Sequence, residues 1–231
     1  MTDIFEQFGN KIKRKAIVLN VGGFRPPDNP YASWFGEVGF CAKEESWPYS
    51  NERPMLPLAQ INLNELPYIP ERLEGLAFIT VFIDAENLPV DTPNGEGWEI
   101  RAYKTIEELV PIDKPDISSH IKPFPMKAIE VDADYPCWED VPVECPEEIE
   151  DQYYDFYENI PGFKFSGWPT LIQSEIFWAP WNKHPAQPEY VFQIDTEDKA
   201  NWSWGDGGVG YFGLGTAKGM EKEWALAWQC Y

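Results

Sequence analysis

Leu56-Pro-Leu-Ala-Gln-Ile-Asn-Leu63 and Gly75-Leu-Ala-Phe-Ile-Thr-Val-Phe-Ile-Asp84 decide the fold class of this chain. In the first, Ala59, Ile61 and Leu63 point one way and Leu58, Gln60 and Asn62 the other, the two-residue period of a strand. The second is nearly continuous in apolar and β-branched residues, as in a strand buried on both faces. The same pattern returns 133 residues later. Leu58-Ala-Gln-Ile-Asn-Leu63 falls on Val191-Phe-Gln-Ile-Asp-Thr196, and Gly75 to Ile79 falls on Gly208 to Phe212, with Gln, Ile and Gly identical. The expectation is an α+β protein of mostly antiparallel β-sheets with a few short helices. Two β-rich half-repeats, about 40–110 and 165–231, would be joined by an acidic, proline-rich segment, 111–163.

Other elements fill in around these strands. Residues 2–14 read as an amphipathic helix, with Thr2 as its cap and Ile4, Phe5 and Phe8 on one face. Its basic end, Lys11 to Lys15, suits the helix dipole. Ala16 to Val21 reads as a strand, as does Trp98 to Tyr103 after the Asn94-Gly95 turn. Thr105-Ile-Glu-Glu108 has the form of a capping box and predicts a short helix ending before Pro111. Residues 111–135 are punctuated by proline and read as loop. After Pro146 the chain turns helical, and Tyr190–Asp195, Val209–Leu214 and Trp224–Tyr231 return to strands. Trp204-Gly-Asp-Gly-Gly208 resembles a phosphate cradle only superficially. It lacks the Lys-Ser/Thr and the following helix of a P-loop, so Asp206-Gly207 reads as a turn before a strand.

Taken in order, Pro57 to Leu63, Gly75 to Phe82, Gly167-Trp-Pro-Thr-Leu-Ile-Gln173, Phe192 to Asp195, Trp204 to Phe212 and Trp228-Gln-Cys-Tyr231 resemble the YwqG-like family of bacterial proteins. That family is catalogued as a domain of unknown function, and the likeness spans roughly residues 40 to 231. The resemblance implies one mixed α+β domain over 1–231, with antiparallel sheets and an internal repeat. It implies no activity and no catalytic residues. Partner binding beside secreted toxins is its functional hint.

Composition narrows the chemistry. The chain has 231 residues, 18 Lys+Arg against 39 Asp+Glu, and a net charge of −21. No basic patch exists to hold a phosphate backbone, and no apolar run approaches the length of a membrane helix. A protein that binds neither nucleic acid nor membrane is therefore expected. A cytoplasmic one is expected too, because the N-terminal stretch has acids before its basic run and no apolar segment of a secretory signal. Cys41, Cys137, Cys145 and Cys230 form no C-x-x-C pair and read as reduced thiols, a Cys137–Cys145 disulfide being the alternative. With only His120 and His184 besides, no metal or other cofactor is expected. No nucleophile motif is present, so no catalytic residue is assigned.

The charge distribution is the sharpest feature. Between Ala128 and Phe163 there are twelve acids and no Lys or Arg, with Trp138, Tyr153, Tyr154, Phe156 and Tyr157 interleaved. Such repulsion opposes a compact state, whereas acids steer a basic partner and tyrosines anchor it. The expectation is a non-catalytic protein-binding module, toxin-neutralising (immunity-type) in kind. Its basic partner would dock on Glu144, Glu147, Glu148, Glu150, Asp151, Tyr153, Tyr154, Asp155 and Tyr157. The alternative is a small-ligand-binding protein or hydrolase-like enzyme, with Gln60, Asn62, Arg101, Gln193 and Asp195 lining a cleft between the halves.

Overall fold

The computed structural model describes the chain except for residues 1, 179 and 181, and for the side chains of residues 2 and 3. The predicted Thr2 cap therefore lies outside what is described. Helix α1 (Thr2–Ile12) leads directly into strand β1 (Arg14–Val21). Then come β2 (Trp34–Phe35), β3 (Phe40–Ala42), β4 (Tyr49–Ser50), β5 (Arg53–Pro54) and β6 (Leu56–Asn62). Next are β7 (Phe78–Ile83), β8 (Trp98–Tyr103), β9 (Leu109–Pro111) and β10 (Phe124–Asp134). The short helices α2 (Glu147–Glu150) and α3 (Tyr153–Phe156) precede β11 (Lys164–Ser166), β12 (Glu189–Asp195), β13 (Val209–Leu214) and β14 (Trp224–Gln229). Most elements are antiparallel strands, as expected.

Ten strands form one sheet in the order β14-β13-β12-β11-β1-β10-β2-β6-β7-β8. The central pair is β1 and β10, and each half fans outward from it. Register gives each of two glutamines a place within the sheet. Gln60 sits between Trp34 and Thr80, and Gln193 between Lys164 and Tyr211.

The inner faces of both halves share one core. Ala59, Ile61, Val81 and Trp98 come from one side, and Phe192, Ile194 and Phe212 from the other. The rings of Trp98 and Phe212 meet across it at 6.1 Å, and those of Phe192 and Phe212 stack at 4.5 Å. Each of the larger side chains contributes about 1.5–3 kcal/mol by leaving water. Because side chains alternate along a strand, Gln60 and Gln193 face away from this core, and loops cover them.

Two expectations fail. Residues 105–108 form a turn, not a helix; Thr105 Oγ1 accepts from the Glu107 N–H, and the chain is drawn at once into β9, which pairs with β3. Residues 124–134, expected as loop, form the long central strand β10. From Lys127 onward β10 pairs only with β1, and several of its side chains remain exposed. Ile129 to Asp134 does alternate apolar with acidic residues, but Ile129 is itself exposed, and Pro111, Pro115, Pro123 and Pro125 give the stretch the look of loop.

Candidate functional site

The acidic segment is built on α1. Ile149, Tyr153 and Tyr157 recur every fourth residue and are buried against Phe5, Phe8 and Ile12. Tyr157 Oη donates to the Phe5 carbonyl at 2.7 Å, and Tyr153 Oη to the Pro136 carbonyl at 2.9 Å. This small core turns the intervening residues outward. Glu144, Glu147, Glu148, Glu150, Asp151 and Asp155 are exposed, and so are Tyr154 (68%), Phe156 (51%) and Trp138 (39%). Among the described residues, none of the eight acids from Glu139 to Glu158 other than Asp140 has a Lys or Arg nitrogen within 4.0 Å, and Asp140 has none either. The exposed rings are held in place. Tyr154 Oη accepts from the Trp138 N–H at 3.3 Å, and Phe156 lies 4.1 Å from Phe5.

Of the nine residues named from sequence for partner contact, Tyr153 and Tyr157 are thus interior. Burial pushes both phenols upward in pKa. The exposed rings Trp138 and Phe156 take the places those two were expected to fill. The four-residue spacing of Ile149, Tyr153 and Tyr157 was the available signal.

The five residues named for the alternative cleft are not brought together. Gln60 and Asn62 belong to β6 and Arg101 to β8, whereas Gln193 and Asp195 belong to β12 in the other half. Gln60 ties down the 30–39 loop, accepting from Gly39 N–H at 2.8 Å and donating to the Ala32 carbonyl at 2.9 Å. Gln193 does the same for 162–170, accepting from Thr170 N–H at 2.8 Å and donating to the Gly162 carbonyl at 3.0 Å. Asn62 accepts from Asn64 N–H, and Arg101 reaches Glu99, Glu45 and the Ser46 carbonyl. Asp195 accepts from the N–H groups of Gly162 and Thr196. Burial raises its pKa while those two bonds oppose the rise. The halves meet through their apolar faces, so the polar faces carrying these residues point away from each other.

A cleft of about 690 Å³ opens elsewhere, bordered by the start of β1, the β6–β7 connection, the turn after β11 and the start of β12. At its edge the Arg14 guanidinium lies 3.3 Å from the centroid of the Trp168 ring. Trp168 is buried, and its indole N–H donates to the Ile12 carbonyl at 2.7 Å. Asp140 also lines the cleft; burial raises its pKa, Arg14 opposes this, and Glu139 and Glu175 add to it. Beneath lies a fully buried ion pair, Lys164 Nζ to Asp134 Oδ2 at 2.9 Å. Asp134 also accepts from the N–H groups of Ile160 and Trp168. Gly167 has φ +63°, and a Cβ there would collide with the Asp134 carboxylate. Sequence reading missed this cleft, because its walls come from segments far apart in the chain and Arg14 reads as part of a solvated helix end.

A family model described as "Domain of unknown function (DUF1963)" matches residues 33–230. The chain belongs to this family. No curated protein matches it. The DUF1963 match runs from just before β2 to the end of β14, leaving out α1 and β1. Yet β1 is a central strand of this DUF1963 protein's sheet, and α1 supports its acidic segment. Among the described residues, no helix is long and apolar enough to cross a membrane.

Proposed function

We propose that this DUF1963 protein is a non-catalytic binding protein of the cytoplasm that docks a basic protein partner on the 138–158 surface. The observation that carries this reading is the coincidence of exposed, held rings with uncompensated acids. Trp138, Tyr154 and Phe156 stand among carboxylates with no Lys or Arg nitrogen of the described residues within 4.0 Å, Arg14 attracting Asp140 from farther off. Rings fixed before docking lose little entropy on binding, and unpaired acids raise the rate of encounter with a cationic surface. Cationic side chains of the partner also gain by lying over the exposed ring faces. Toxin neutralisation fits such a surface, because a nuclease-like target presents a basic groove for an acidic protein to occlude. The same reading takes the two halves as an internal duplication and the family as YwqG-like, supported by the matching sites of Gln60 and Gln193.

The test compares wild type with two variants as bait in extract of the source cell, at low and moderate salt. One variant neutralises Glu147, Glu148, Glu150 and Asp151; the other is Tyr154→Ala with Phe156→Ala. A basic protein retained by wild type, released by moderate salt and lost with both variants supports the reading. Retention of the same proteins by all three baits overturns it. For the toxin assignment, co-expression should protect a host from the retained protein.

A further inference from the structure

We propose that the cleft beside Arg14 and Trp168 binds a small zwitterion, an α-amino acid or short peptide, with its carboxylate on Arg14 and its ammonium on Asp140. This proposal does not rest on the partner-binding reading; the cleft is a separate concavity that shares only Asp140 with the 138–158 segment.

Arg14 is a prepared anion receptor. One guanidinium face is spent on the Trp168 ring, whose position is fixed by burial and by its bond to Ile12. Among the described residues the guanidinium makes one hydrogen bond, a long one of 3.5 Å to the Gly167 carbonyl. No described carboxylate lies within 4.0 Å of it, in a chain with 39 acids and 18 bases. A planar fork held against an aromatic ring, attracted by Asp140 and Asp134 from beyond salt-bridge reach but bonded to neither, suits a carboxylate.

Asp140 supplies the opposite requirement. Its carboxylate is half-buried and accepts no hydrogen bond from a described residue. Glu175 stands near enough to add like-charge repulsion. An ammonium between Asp140 and Glu175 relieves both costs at once.

The combination selects the ligand class. Lys15, Arg72, Glu71 and Glu189 also line the cleft, so both signs of charge stand on its walls and a ligand of one sign meets repulsion as well as attraction. A molecule with both charges satisfies each end, and about 690 Å³ is within the usual size range of small-ligand sites.

Calorimetry on the full chain tests this, with leucine, glutamate, lysine and glycylglycine as probes and N-acetylglycine and glycinamide as single-charge controls. At least one zwitterion should bind with a Kd below about 1 mM, and both controls about tenfold more weakly or worse. Arg14→Gln and Asp140→Asn should each weaken the zwitterion about tenfold. Glu175→Gln, at an exposed position, should weaken it less without disturbing the fold. No binding by any of the four up to about 10 mM overturns the proposal. So does N-acetylglycine or glycinamide binding as tightly as the zwitterion, or Arg14→Gln binding it unchanged. Partner capture on the 138–158 surface is not read by this experiment, so either proposal can fail alone.

Discussion

Gln60 and Gln193 do the same work at matching places in the two halves of the sheet. Each stands on the outer face of its strand, and each uses its carboxamide to accept from one loop N–H and donate to loop oxygens. Side-chain amides thus replace a further strand in holding the covering loops. Replacing either by Leu keeps the volume roughly but strands a donor and an acceptor. Each change should cost about 2 kcal/mol in denaturant unfolding. Because the two glutamines share no partners, the double variant should lose the sum. Hydrogen exchange should quicken at Gly39 in one variant and at Thr170 in the other. Unaltered protection at both amides would show that the loops are held by something else.

The Lys164–Asp134 pair lies with both side chains fully buried. Burial pushes the lysine pKa down, and the attraction of Asp134 holds it up. Lys164→Met leaves a buried carboxylate with only its two backbone donors, and should cost about 3–5 kcal/mol. Adding Asp134→Asn removes the stranded charge and should recover part of the loss. A double-mutant cycle by urea unfolding measures this coupling; strict additivity would mean that the pair does not act as a unit.

Much of the sheet was legible because its strands obey the two-residue period. Leu56 to Asn62, Trp98 to Tyr103 and Glu189 to Asp195 each put an apolar row on one face. The central strand was not, because Pro111, Pro115, Pro123 and Pro125 punctuate its approach and start, although Ile129 to Asp134 keeps the two-residue period. The Thr105–Glu108 box failed for another reason: a local cap is worth about 1 kcal/mol, too little against strand pairing a few residues on. At the site, the excess of acids was readable from composition, but the direction of each ring was not read. Which face of β6 or β12 is shared depends on the opposite half, which lies about 130 residues away in the chain.

Tyr153 and Tyr154 are neighbours with opposite roles, one 1% and the other 68% exposed. Tyr153→Ala removes the centre of the small core against α1 and should cost about 3–5 kcal/mol. Tyr154→Ala loses one exposed hydrogen bond and an edge contact with Tyr153, and should cost about 1 kcal/mol or less. Neutralising Glu147, Glu148, Glu150 and Asp151 to their amides should raise the melting temperature at low salt, with the gain shrinking as salt screens the repulsion. Thermal melts at two ionic strengths check all three variants. A melting temperature lowered by the neutralisation would mean that those acids are paired in solution.

Asp140 provides a pH signature. Its pKa is raised mainly by burial, so the folded chain holds this proton to higher pH than the unfolded chain. Stability therefore falls as pH rises from the ordinary carboxylate range through the folded value, and the loss is complete above it. Asp140→Asn carries no such loss. It should be more stable than wild type at neutral pH, with the advantage fading on acidification below the ordinary carboxylate range. Urea titrations across this range measure the difference. A bound ammonium would favour the ionised form, so a saturating zwitterion should stabilise wild type more than Asp140→Asn and narrow or reverse the gap at neutral pH. Equal stability of the two proteins at every pH would mean that the Asp140 carboxylate is hydrated as well in the fold as outside it.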